Sequence, residues 1–174
     1  MHKNIDLLEK QINLIKTLEE YTIEIYVKNG NFHYSAKFLN TDGSQSSIQI
    51  PIEDIVYLTE YGTINIPAKH IIENIIIWCN TRIDFWLNKI LDGIFEQGWD
   101  NIVIQNQMLS FEFEINSYIQ TYLSSNFKES KILSKLLGID ESKSEIVDVE
   151  ILKKHICCKI TKKSDSLLYT DTSS

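Results

Sequence analysis

Few residues of this 174-residue chain are spaced to do chemistry. Four histidines (His2, His33, His70 and His155) lie far apart, and none stands at metal-ligand spacing from another histidine or a cysteine. Of the three cysteines, Cys157 and Cys158 are adjacent. On a strand they point to opposite faces, which suits one buried and one exposed thiol better than a shared metal. Cys79 falls on an apolar helical seam and reads as a small hydrophobe. Asp84, Asp92 and Glu96 fall on one helix at i, i+8 and i+12, which makes a dimetal carboxylate site conceivable, but no Glu-x-x-His element accompanies them. A solvated charged face is the simpler reading. The six glycines are spread singly, so no phosphate-cradling loop exists. Trp78, Trp86 and Trp99 could form a ligand platform, though helical aromatics more often serve a core or a subunit interface. The expectation is therefore not an enzyme, with no cofactor and no metal.

Composition narrows the partners. A formal net charge of −7 disfavours indiscriminate nucleic-acid binding, which needs a basic face. No run approaches the roughly 20 apolar residues of a membrane span, and the first residues lack the pattern of a signal peptide. Three cysteines do not make a disulfide framework. These features imply a soluble protein made inside the cell.

The elements that must position any site follow from periodicity. Ile5, Leu8, Ile12, Ile15 and Leu18 predict a helix over residues 4–19, with Asn4 as its cap. Residues 21–28 alternate as a strand, and Asn29-Gly30 is a hairpin signal that would pair it with a strand over 32–39. A polar loop (40–47) and a short strand (48–52) come next. Ile55, Val56, Leu58 and Tyr61 predict a short helix over 53–61, ended by Gly62. Pro67 suits the first position of a long helix reaching Gln97, roughly 45 Å if continuous. Its seam reads Ile72, Ile76, Cys79, Ile83, Trp86, Ile90 and Ile94. Residues 104–122 alternate locally at Phe111–Ile115, but Ile104, Met108, Phe111, Ile115, Ile119 and Tyr122 hold helical spacing over a longer window, which favours helix. A polar stretch (124–144) carries a small apolar cluster at Ile132, Leu133, Leu136 and Leu137, and a last strand covers 155–161. The expected fold is α+β: a small antiparallel sheet packed against one long helix with accessory helices. Residues 1–161 would form a single domain and 162–174 a flexible tail.

The turn between the two middle helices is the most informative stretch. Glu60-Tyr61-Gly62-Thr63 and, after a short loop, Ile66-Pro67-Ala68-Lys69 make an elbow. Gly62 lets the chain leave one helix in a left-handed conformation, and Pro67 fixes φ for entry into the next. Glu60 sits at a helix C-terminus, where a carboxylate is unfavourable unless paired. Lys69, from the same or a neighbouring subunit, is the expected partner.

Residues 55–72 (IVYLTEYGTINIPAKHII) resemble the tail-completion or head–tail connector proteins of tailed bacteriophages, the family with relatives of lambda minor tail protein Z. Those proteins carry a hydrophobic helix, an acidic residue, an aromatic, Gly-Thr, a short loop and Ile-Pro-Ala-Arg-Pro-Phe before a long helix. Here Lys69, His70 and Ile71 replace the Arg-Pro-Phe, which keeps a charge but loses the planar guanidinium fork. A second, weaker likeness lies at 148–156 (DVEILKKHI), where Asp148, Leu152 and Ile156 match the family's closing element. Val149, Glu150 and His155 replace its Thr-Gly and Ser.

The resemblance implies a structural virion protein, assembled in the host cytoplasm into a ring (a homo-oligomer, six-fold in that family) at the neck or upper tail. The ring would join the tail tube to the head connector, with neighbouring phage neck, connector and tail-tube proteins as partners. DNA would pass through without sequence-specific binding, and no membrane is involved. An acidic lumen lets DNA slide, which fits the net charge. Alternative readings are a tail terminator or head-closure protein of the same particle, or a small cytoplasmic protein-binding or regulatory protein.

Overall fold

The computed structural model describes residues 2–28, 31–39, 42–62, 67–98, 100–126 and 149–163. Along the chain run α1 (His2–Leu18), β1 (Tyr21–Val27), β2 (His33–Leu39), β3 (Gln45–Pro51), α2 (Ile52–Tyr61), α3 (Ile71–Gln97), α4 (Asn101–Asn126), α5 (Val149–His155) and β4 (Ile156–Lys162). The fold is α+β. None of the described helices is long and apolar enough to cross a membrane. The chain gathers into two compact units, Met1–Glu24 with Cys158–Ser174, and Ile25–Cys157.

The strands pair differently from the Asn29-Gly30 expectation. β1 pairs with β4, and β2 pairs with β3, so 21–28 and 32–39 are not hairpin partners. Asn29 and Gly30 themselves lie outside the described residues. The β2–β3 hairpin is antiparallel, in register from His33↔Pro51 to Leu39↔Gln45. Its turn uses Asp42-Gly43: the Asp42 carboxylate accepts from Ser44 N at 2.9 Å, and Gly43 takes φ +80°. An Asp-Gly pair can close a hairpin just as an Asn-Gly pair can. Which one does so is decided by the partner each strand finds in three dimensions. β1 finds β4 instead: Lys28 N donates to His155 O at 2.6 Å at one end, and Lys163 N to Glu20 O at 2.8 Å at the other.

In the first unit, Leu14 is buried, whereas Ile12 and Ile15 of the expected α1 stripe are exposed. A salt bridge of 3.0 Å joins Lys162 to Glu20. Cys158 is buried here.

The second unit holds the larger core. Ile52, Ile55 and Val56 of α2, Ile71, Ile75, Trp86 and Ile90 of α3, and Val103, Ile104, Phe111, Ile115, Ile119 and Leu123 of α4 are buried. The ambiguous stretch around Phe111–Ile115 is helical, and its inward face follows the expected seam closely. On α3 the inward face keeps Cys79, Trp86 and Ile90 of the expected seam but is otherwise rotated: Ile71 and Ile75 are buried where Ile72 and Ile76 were expected, while Ile76 is 48% and Ile83 44% exposed. The apolar stripe of α3 is wider than the strip its neighbour covers. The covered strip includes Gly93, which is buried where α4 comes close: a Cβ added there would sit 2.9 Å from Val103 Cγ1.

Pro67 does not begin the long helix. Residues 67–70 precede it, and α3 starts at Ile71. α5 is a further helix that periodicity does not reveal, because seven residues make only about two turns. The cluster at Ile132, Leu133, Leu136 and Leu137, Asp148, Trp99 and the tail from residue 164 lie outside the described residues.

Candidate functional site

The elbow between α2 and α3 is held by hydrogen bonds that satisfy both helix ends at once. Gly62 N donates to Leu58 O at 2.9 Å, closing α2. Gly62 adopts φ +75° and ψ −174°, a region open essentially to glycine alone. The chain then returns. Lys69 N donates to Thr59 O at 2.8 Å and His70 N to Glu60 O at 3.2 Å, so the carbonyls of Leu58, Thr59 and Glu60, which the helix end leaves orphaned, are met. Gly62→Val is expected to cost about 1–3 kcal/mol, read as a lower denaturant midpoint, because a β-branched residue cannot hold this conformation without strain.

Glu60 is buried, and its carboxylate accepts from Ile72 N at 2.7 Å and Glu73 N at 3.1 Å. These are the second and third residues of α3, whose amides have no intrahelical partner. The carboxylate thus leaves the unfavourable end of α2 and reaches the favourable end of α3. The expected Lys69 pairing is replaced by backbone amides, and Lys69 contributes its own amide instead. His70 cannot cap in the usual way because it takes a left-handed conformation, φ 48° and ψ 47°. Its ring instead meets Glu73, Nδ1 to Oε2 at 2.9 Å. Asn74 Nδ2 donates to His70 O at 2.6 Å and reaches the Tyr122 hydroxyl of α4 at 3.0 Å, which ties the elbow to the helix pair.

Of the elbow residues read from sequence, Glu60 is buried, Tyr61 and Lys69 are exposed, Pro67 is exposed and Ala68 is half-buried. Thr63 and Ile66 lie outside the described residues. Beside the elbow is a cleft of about 260 Å³ lined by Glu53, Val56, Tyr57, Glu60, Tyr61 and Ile72. The Tyr57 and Tyr61 rings, both exposed, stand 4.7 Å apart at its rim. Glu53 Oε2 is buried there without a hydrogen-bond partner. What the cleft offers is an acidic floor with an aromatic edge.

A second polar cluster joins α3 to α4. Glu114 Oε1 accepts from Arg82 Nη2 at 2.8 Å and Nε at 3.2 Å, while Oε2 accepts from Trp86 Nε1 at 3.0 Å. Trp78 stacks on Tyr118 at 4.1 Å and meets Trp86 edge-on at 6.1 Å. Burial pushes the Glu114 carboxyl up, but the hydrogen bonds from Arg82 and Trp86 outweigh it and leave its pKa below the usual value. A carboxyl depressed in the folded state adds stability above its unfolded pKa of about 4.3, and that stability is lost as pH falls through the folded value. Wild type should therefore lose more unfolding free energy between about pH 5 and pH 3 than Glu114→Gln does. Urea titrations of both proteins across that range check it.

Trp78 and Trp86 are thus packing elements: Trp86 is buried and Trp78 is stacked. Burial also pushes the Cys79 thiol up, with Glu114 adding to the effect, which keeps it a neutral hydrophobe. Cys157 is half-buried, and burial raises its pKa despite Lys28. Asp84, Asp92 and Glu96 are exposed. Among the described residues no group of three or more His, Cys, Asp or Glu side chains could hold a metal ion.

Spacing did not single out His155. It is buried, its Nδ1 lies 2.7 Å from Lys28 O, and its ring lies 4.6 Å from that of Phe32. That places it as a structural pin at the start of β4. Comparison with protein-family models, curated proteins and solved structures finds no match to the chain.

Proposed function

We propose that this chain is a structural virion protein of a tailed phage, one subunit of a ring at the neck or upper tail that joins the tail tube to the head connector. The observation that carries the reading is the elbow. An acidic-aromatic-Gly-Thr turn followed by Ile-Pro-Ala, the pattern that resembles tail-completion proteins, is built around a buried carboxylate that caps a 27-residue helix. Such a joint sets the direction of a long helix, as a scaffold requires. At the elbow the Glu60 side chain is spent on holding backbone.

The cleft beside the elbow supports the same reading. Its carboxylates and tyrosine rim suit a basic side chain from a neighbouring virion protein, by charge and by cation–π contact. The ring subunit is a homo-oligomer without cofactor, and DNA passes its acidic lumen without being held.

The test is a phage carrying a nonsense mutation in this gene, examined by electron microscopy, with mass spectrometry of purified wild-type virions. Filled heads and finished tails that fail to join are expected, with the polypeptide present in virions. Virions free of the polypeptide would overturn the proposal. Overlong tails would overturn the joining role in favour of a terminator.

A further inference from the structure

We infer that the outward face of α4 is a pairing surface for the same helix of a second copy of this chain. Ile102, Leu109 and Phe113 are 60%, 58% and 74% exposed on that face. With Asn106 they follow steps of 4, 3 and 4, the spacing of a helix–helix seam. The pattern continues through Asn116 to Gln120, whose amide is already used on Lys153 O at 2.8 Å, so the apolar part spans Ile102 to Phe113, about 17 Å of helix.

Charge says what sits there. The exposed positions of α4 are Asn101, Ile102, Gln105, Asn106, Leu109, Ser110, Phe113, Ser117, Gln120, Thr121, Ser125 and Asn126, and none carries a charge. Exposed helix faces are normally where charge collects, and this chain is 24% charged. Two molecules of net charge −7 repel, and a face without charge adds nothing to that repulsion when copies meet through it. The seam also matches itself. An Asn amide both donates and accepts, so Asn106 from one copy satisfies Asn106 from the other, whereas an apolar groove would leave it unpaired. Helix against like helix makes a two-fold contact, which is separate from the head-to-tail contacts that close a ring.

The inference goes beyond the neck assignment, and the two can fail separately. Absence from virions removes that assignment and leaves the pair. A solution monomer removes the pair and leaves the assignment. Sedimentation equilibrium of the full chain at about 100 µM should show dimers or multiples of them. Leu109→Lys with Phe113→Lys should weaken association at least about 100-fold while leaving the circular dichroism spectrum of the folded chain unchanged, since both residues are exposed. Asn106→Cys should form a disulfide-linked dimer under mild oxidant, and Gln97→Cys, exposed at the end of α3, should not. A wild-type monomer, an assembly whose mass survives the double lysine change, or absence of the Asn106→Cys cross-link would each overturn the inference.

Discussion

Glu60→Ala is expected to destabilise the protein by about 3 kcal/mol, with little change in denaturant m-value. The carboxylate receives two backbone amides at the start of α3, and hydrogen bonds to a charged acceptor contribute roughly 1.5–3 kcal/mol each. Truncation removes both acceptors at a buried position, so Ile72 N and Glu73 N lose partners that the rest of the elbow does not replace. The favourable interaction of a negative charge with the N-terminus of α3 is lost as well. Glu60→Gln separates these effects. It keeps one oxygen for one amide but turns an NH2 towards the other, so it should cost about half as much as alanine. Asp is one methylene short of the reach from α2 to α3 and should fall between the two. Equilibrium urea unfolding of the three variants orders them, and a Glu60→Ala protein as stable as wild type would show that the cap does not hold the joint.

That joint also shows what was legible beforehand. The acidic residue, the glycine and the proline mark a turn whose need for a partner at Glu60 follows from the helix dipole alone. The partner does not follow. A lysine nearby in sequence is the visible candidate, whereas two backbone amides carry no sequence signature, and they are found only once α3 folds back over the end of α2. Pro67 misleads for a different reason. It is a good first helical residue, but His70 takes a left-handed conformation through which a right-handed helix begun at Pro67 cannot run, so α3 begins at Ile71. Strand existence was legible from alternation, and strand pairing was not, because two short turn signals compete and the partner of β1 lies some 130 residues along the chain. On α3 the stripe of Ile and Leu is broad enough for several inward directions. Gly93 is among the positions that α4 covers, and a glycine gives an apolar pattern no signal for that.

Gly93→Leu is the other large effect expected, about 3 kcal/mol of destabilisation. Gly93 is buried on α3, and even a Cβ there would stand 2.9 Å from Val103 Cγ1 and 3.8 Å from Gln107 Nε2. Val103 is itself buried, and its methyl is on a short, stiff side chain, so it cannot swing aside as a long one would. A leucine must therefore push α4 away or leave its rotamer, and both disturb the packing of Ile90 and Ile104. Alanine is the informative contrast. Replacing glycine inside a helix gains about 1 kcal/mol of propensity, which the single close contact offsets, so Gly93→Ala should lie within about 1 kcal/mol of wild type. If the contact is the cause, Val103→Ala should relieve it. The double variant Gly93→Ala/Val103→Ala should then be more stable than the sum of its single changes by about 1 kcal/mol. Additive behaviour in that cycle would mean that the two helices are not set by this contact.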